Sequence, residues 1–149
     1  MTSIPDRVRE NTSPAVNAQI DRELWRRLHY YRDASPRQIS LRIKALDEEW
    51  DIERVLEANA SLLAFSGVMF SLLSRERRWL SLPIAVSAFL FQHAIQGWCP
   101  PIEFFRRVGI RTRKEIDAER YALKVLRGDF DDIPARRDVY TLLELVKRG

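Results

Sequence analysis

A chain of 149 residues, 46% hydrophobic and 31% charged, holds one modest domain and leaves little room for a separate catalytic one. Its single cysteine, Cys99, excludes an internal disulfide and a multi-cysteine zinc site. The net charge of +4 raises the question of nucleic acid, but no recognition fold or aromatic-basic platform accompanies it. No nucleic-acid partner, metal or cofactor is therefore expected.

Residues 1–12 are expected to form a disordered tail, followed by N-terminal amphipathic helices over 13–54. Ser13-Pro14 opens the first helix, with serine as cap and proline at the first helical position. Val16, Ile20, Leu24, Leu28 and Tyr31 recur on it at helical spacing. Ser35-Pro36-Arg37-Gln38 matches a capping box and starts the next helix, whose stripe is Ile39, Ile43, Leu46 and Trp50. No strong breaker follows before Ser74, so this helix is expected to run on into the apolar segment after it. The first 50 residues lack an apolar core segment, and no cleavable signal peptide is expected.

Two runs free of Asp, Glu, Lys and Arg then follow, Ala58 to Ser74 with 17 residues and Trp79 to Ile102 with 24. Arg75-Glu76-Arg77-Arg78 separates them. A spanning helix needs about 20 mostly apolar residues at about 1.5 Å each, and Val55 and Leu56 lengthen the shorter run. The fold class expected is all-α: a two-helix transmembrane hairpin over 55–102, with spans of about 55–74 and 79–98, flanked by amphipathic cytoplasmic helices. A pair of buried helices in a soluble bundle is the alternative. Ten Lys and Arg residues flank the outer ends of the runs against three in the turn, which predicts both termini in the cytoplasm.

Small side chains step through both runs: Ala60, Ala64, Gly67 and Ser71 in the first, and Ser81, Ala85 and Ala88 in the second. Spanning helices associate by close packing, so these stripes are expected to face each other or a second copy of the chain. The antiparallel register places Glu57, Asn59, Gln92, His93 and Gln96 in one polar layer near the cytoplasmic surface. That layer is either a hydrogen-bonded clamp or a binding or proton-handling site. An acidic run, Asp47 to Glu53, precedes the first span; it is either a solvated face or a partner for the basic segment after the second.

Gly97-Trp98-Cys99-Pro100-Pro101 closes the second run, since two prolines forbid continued regular helix and glycine lets the chain turn. Over 103–149 a basic interfacial segment and C-terminal helices are expected. In the former, Phe104, Phe105 and Val108 alternate with Arg106, Arg107 and Arg111. Thr112-Arg113-Lys114-Glu115 reads as a second capping box, Gly128 as a helix end, and Pro134 as the start of a last helix.

With Cys99-Pro100 at the end of the second run, Gly109 and Thr112 beyond it, and Arg54 and Asn59 at the first, residues 52–114 resemble the YgaP-like transmembrane domain family. The resemblance implies a bacterial inner-membrane hairpin of unknown role. Some members carry a fused rhodanese, for which this chain has no counterpart. The expected function is a non-catalytic helical module in the inner membrane. Its partners would be the lipid bilayer, a second copy of the chain or a cytoplasmic protein. The alternative is a membrane thiol protein, with Cys99 as sulfur acceptor or redox switch.

Overall fold

The computed structural model describes residues 6–131, and every regular element among them is helical. The helices are α1 (Arg7–Glu10), α2 (Pro14–Arg32), α3 (Pro36–Glu48), α4 (Ile52–Ser74), α5 (Ser81–Gln96), α6 (Pro100–Val108) and α7 (Arg113–Arg127), with a 3₁₀ turn at Arg77–Leu80 before α5. The last helix expected from Pro134 lies outside the described residues. The chain divides into two compact units: Met1–Asp21 with Trp50–Lys114, and Arg22–Glu49 with Glu115–Gly149.

In the first unit, α4 and α5 form an antiparallel pair. Asp51 caps α4 by accepting a hydrogen bond from the Arg54 N–H at 2.9 Å, and the Ile52 N–H donates to the Arg111 carbonyl at 2.9 Å. The helix ends at Arg75, in the left-handed region at φ 57°, and the 3₁₀ turn reverses the chain into α5. Gly67 is buried where the helices meet: a Cβ there would lie 2.6 Å from Pro83 Cδ and 3.1 Å from the Trp79 carbonyl oxygen. Phe70 and Trp79 close the turn end with ring centroids 5.3 Å apart. At the other end Gly97, at φ 74°, stops α5, and Pro100 begins α6. Val8, Ile52, Leu56, Cys99 and Ile102 form the core there.

Buried Arg106 ties that core to the N-terminal segment. Its Nε donates to Thr12 Oγ1 at 3.2 Å, its Nη1 to the Ile110 carbonyl at 3.1 Å and its Nη2 to Asn17 Oδ1 at 3.0 Å. Thr12 Oγ1 in turn donates to the Val8 carbonyl at 2.7 Å. A buried guanidinium is tolerated only when its donors are used in this way.

The second unit packs the later turns of α2 against α3 and α7 around Ile39, Ile43, Leu46, Ile116 and Leu123. The capping box at Ser35 and Gln38 is present. Glu119 is fully buried and accepts from Arg27 Nε at 3.1 Å and Arg42 Nε at 2.8 Å. Beside it Arg120 donates from Nη2 to the Leu46 carbonyl at 3.1 Å and sets Nε 2.9 Å from Asp47 Oδ1. That last pair is close enough for ionic attraction, but Nε is not aligned for a hydrogen bond.

Three expectations are corrected. Residues 6–12 are not a disordered tail: Asp6 caps α1, Val8 enters the core, and Arg7 Nη1 donates to the Ala94 carbonyl at 2.9 Å. Residues 1–5 lie outside the described residues. The helix from Pro36 does not continue into the apolar run, because Glu49 and Asp51 are extended and Asp51 caps a new helix. The segment from 103 is only partly a surface one: Phe104 and Val108 are exposed, but Arg106 and Arg111 are buried. Of the two arrangements expected for the small-residue stripes, the structure does not turn the α5 stripe to α4. Ala85 and Ala88 are exposed, and Leu82 and Pro83 meet Gly67 instead.

Among the described residues, α3 and α4 taken together contain one stretch long and apolar enough to cross a membrane. An 18-residue window within Pro36–Ser74 has a mean hydropathy of 1.5, and 11% of it is buried. Arg77–Gln96 qualifies only when taken together with the helix beyond its bend, which brings the number of candidates to two.

Candidate functional site

A cavity of about 740 Å³ opens in the first unit, at the end of the α4–α5 pair away from the charged turn. Asp6 and Arg7 reach it from the start of α1, Glu53, Leu56 and Glu57 from α4, Leu90, His93 and Ala94 from α5, and Thr112, Arg113 and Lys114 from the segment leading into α7. Each arrives for a local reason. Glu53 and Glu57 are four residues apart on one helix and so share a face. His93 lies one turn before Gly97, where α5 ends. A Cβ at Gly97 would meet Arg7 Cβ at 2.4 Å, so the glycine allows α1 to sit against the helix end. Thr112 Oγ1 donates to Asp6 Oδ2 at 2.6 Å and closes the far wall.

Two side-chain atoms of this cavity, Glu53 Oε2 and His93 Nδ1, are buried without a hydrogen-bond partner. Burial pushes the Glu53 carboxyl above the usual carboxylate range. A hydrogen bond from its own backbone N–H opposes this, while the neighbouring charges of Asp51, Asp6 and Glu57 push in the same direction as burial. Acidic groups (Asp6, Glu53, Glu57) and basic groups (Arg7, Arg113, Lys114) line the same space. Leu56, Leu90 and Ala94 supply an apolar wall.

Of the polar layer expected from the sequence, the structure brings Glu57 and His93 to this cavity and leaves the others apart. Asn59 is exposed and donates Nδ2 to the carbonyl of Val55 in its own helix at 2.8 Å. Gln92 Nε2 reaches only Gln96 Oε1, at 3.4 Å. Ala60, Ala64 and Ser71 are half-buried on the same stripe as Gly67. Cys99 is 3% exposed, among Ile52, Leu56 and Ile102. Burial pushes its thiol up, opposed by a hydrogen bond from the Ile102 backbone. Pro100 occupies the first turn of α6, exposed. Sequence reasoning missed Asp6, Arg7, Glu53, Arg113 and Lys114 as members of one site. The available signals were Asp6 as a helix cap and Gly97 as a place of close approach.

The acidic run from Asp47 to Glu53 does meet the basic segment after α5: Asp51 Oδ2 lies 3.9 Å from Arg113 Nη1 within this unit. Among the described residues no group of three or more His, Cys, Asp and Glu is placed to hold a metal ion. The cavity thus offers hydrogen-bond acceptors and donors of both charges beside an apolar wall, with the only thiol sealed in the core. No family model, curated protein or solved structure matches the chain.

Proposed function

We propose that the chain is an integral protein of the inner membrane, crossing it twice as a hairpin of α4 and α5, and that it serves as a non-catalytic binding module. The spans run over about 55–74 and 79–98, with the charged turn on the outer side and the cavity end in the cytoplasm. The observation that carries this reading is where the large apolar side chains point. Leu62, Phe65, Leu72 and Leu73 on α4, and Ile84, Phe91 and Ile95 on α5, are each at least 60% exposed. In water those seven side chains would forgo on the order of 10 kcal/mol of burial, comparable to the whole stability of a small domain. In hydrocarbon that penalty vanishes.

The polar residues of the first span fit the same solvent. Asn59 donates to the Val55 carbonyl at 2.8 Å, Ser66 Oγ to Leu62 at 2.8 Å and Ser74 Oγ to Phe70 at 2.6 Å, all within α4. A bilayer offers polar groups no water, so satisfaction inside the helix is the arrangement it requires. The ten-to-three excess of Lys and Arg beyond the outer ends supports the orientation. A hairpin followed by Cys99-Pro100 is also what the resemblance to the YgaP-like family implies. The exposed small residues Ala85 and Ala88 give α5 an outer face that a second copy could approach closely.

The thiol reading is the weaker one, since a sealed cysteine whose proton is held more tightly than usual is a poor nucleophile. Fractionation tests the main proposal. The protein should stay in the membrane pellet after a carbonate wash and need detergent for extraction. Release by carbonate would contradict it.

A further inference from the structure

The cavity at the cytoplasmic end of the hairpin has a composition that narrows what it would hold. Asp6, Glu53 and Glu57 bring three carboxylates to it and Arg7, Arg113 and Lys114 three basic groups, with Leu90 beside His93 on the α5 side. A purely anionic guest would leave the carboxylates facing a like charge, and a purely cationic one would do the same to the basic groups. A zwitterion presents an opposite charge to each. The buried and unpartnered Glu53 Oε2 asks for a hydrogen-bond donor, and His93 Nδ1 accepts from the same donor in its Nε2–H tautomer, because buried polar atoms left unmade are costly. A primary ammonium supplies three such donors.

The geometry points to a phospholipid with a phosphoethanolamine headgroup as the occupant, its ammonium held by Glu53, Glu57 and His93 and its phosphate by Arg113 and Lys114. The inference rests on the membrane reading, which puts this cavity at headgroup depth. Leu90 then continues into the apolar surface of the spans, along which acyl chains lie. The raised proton affinity of Glu53 fits a carboxyl waiting for a cationic partner, since a nearby positive charge would bring it back down.

Native mass spectrometry of the full chain in detergent micelles, titrated with single lipids, tests it. Phosphatidylethanolamine should bind about tenfold more tightly than phosphatidylcholine, whose quaternary ammonium donates no hydrogen bond, and than phosphatidylglycerol, which has no ammonium. Glu53→Gln should bring the three within about twofold of one another. Should that variant fail to fold, the exposed Glu57→Gln should reduce the same preference. Equal binding of the three lipids by the unaltered chain would overturn the proposal. So would glycerophosphoethanolamine binding as tightly as the whole lipid, which would assign the site to a soluble ligand. A chain that resists carbonate washing yet shows no headgroup preference refutes the lipid site alone, whereas a chain monodisperse in buffer without detergent refutes the membrane reading beneath it.

Discussion

Glu53 is the second residue of α4, and burial together with the charges of Asp51, Asp6 and Glu57 disturbs its carboxyl. Its carboxyl is raised, so the folded protein holds that proton more tightly than the unfolded chain does. The stabilisation this brings is complete below the ordinary carboxylate range and is lost as pH climbs through the raised value. Unfolding midpoints measured across that interval in detergent should fall with rising pH, and Glu53→Gln should flatten the slope. An unchanged slope would remove Glu53 as its source. Glu119 makes a sharper case, because it is fully buried between Arg27 and Arg42. Glu119→Gln should cost about 3 kcal/mol, the low end for breaking a buried ion pair. The low end applies because Arg27 and Arg42 retain 29% and 22% exposure and can still find water. Loss of helical circular dichroism at lower temperature would register it.

At the scale of elements, local chemistry made several helix ends readable. Ser35 and Gln38 form the expected box, Gly97 and Gly128 take positive φ at the ends expected of them, and Pro14 and Pro36 start helices. These depend on neighbours within four residues. Ser35→Ala should cost about 1 kcal/mol in thermal unfolding, as loss of a cap does. What the sequence withheld depends on distant partners. A four-residue α1 is marginal alone and exists because Val8 packs with Ile52 and Ile102 and Arg7 reaches Ala94. Glu119 gave no sign of burial, since its two arginines are 92 and 77 residues away.

The small-residue stripes were half readable. They mark faces that permit close approach without saying which partner takes them. On α4 the stripe does face inward, and Gly67 receives the ring of Pro83; on α5 that ring sets the contact and leaves Ala85 and Ala88 outside. Gly67→Ala should therefore push the pair apart at a cost of about 1–3 kcal/mol, because backbone and a rigid ring are what the new methyl meets. A detergent-unfolding curve indistinguishable from that of the unaltered protein would contradict the packing described.

For the molecule as a whole, the apolar surface and the cavity belong to one scheme. On the membrane reading proposed above, lipid covers the large apolar residues that the hairpin leaves outside, and the cavity lies at the boundary between hydrocarbon and cytoplasm. The pairing of α4 with α5 was legible because charge-free runs and a charged turn are visible without any tertiary information. The sequence could not carry the cavity, whose walls come from four separated stretches: Asp6 and Arg7, Glu53 to Glu57, Leu90 to Gly97, and Thr112 to Lys114. The most direct measurement of the central claim is sided labelling in intact cells, using single cysteines on a Cys99→Ala background. A cysteine replacing Glu76 in the turn should react with a membrane-impermeant maleimide added outside, and one replacing Glu10 should react only after the cells are opened. Labelling of both from the same side would contradict a hairpin that crosses the membrane twice.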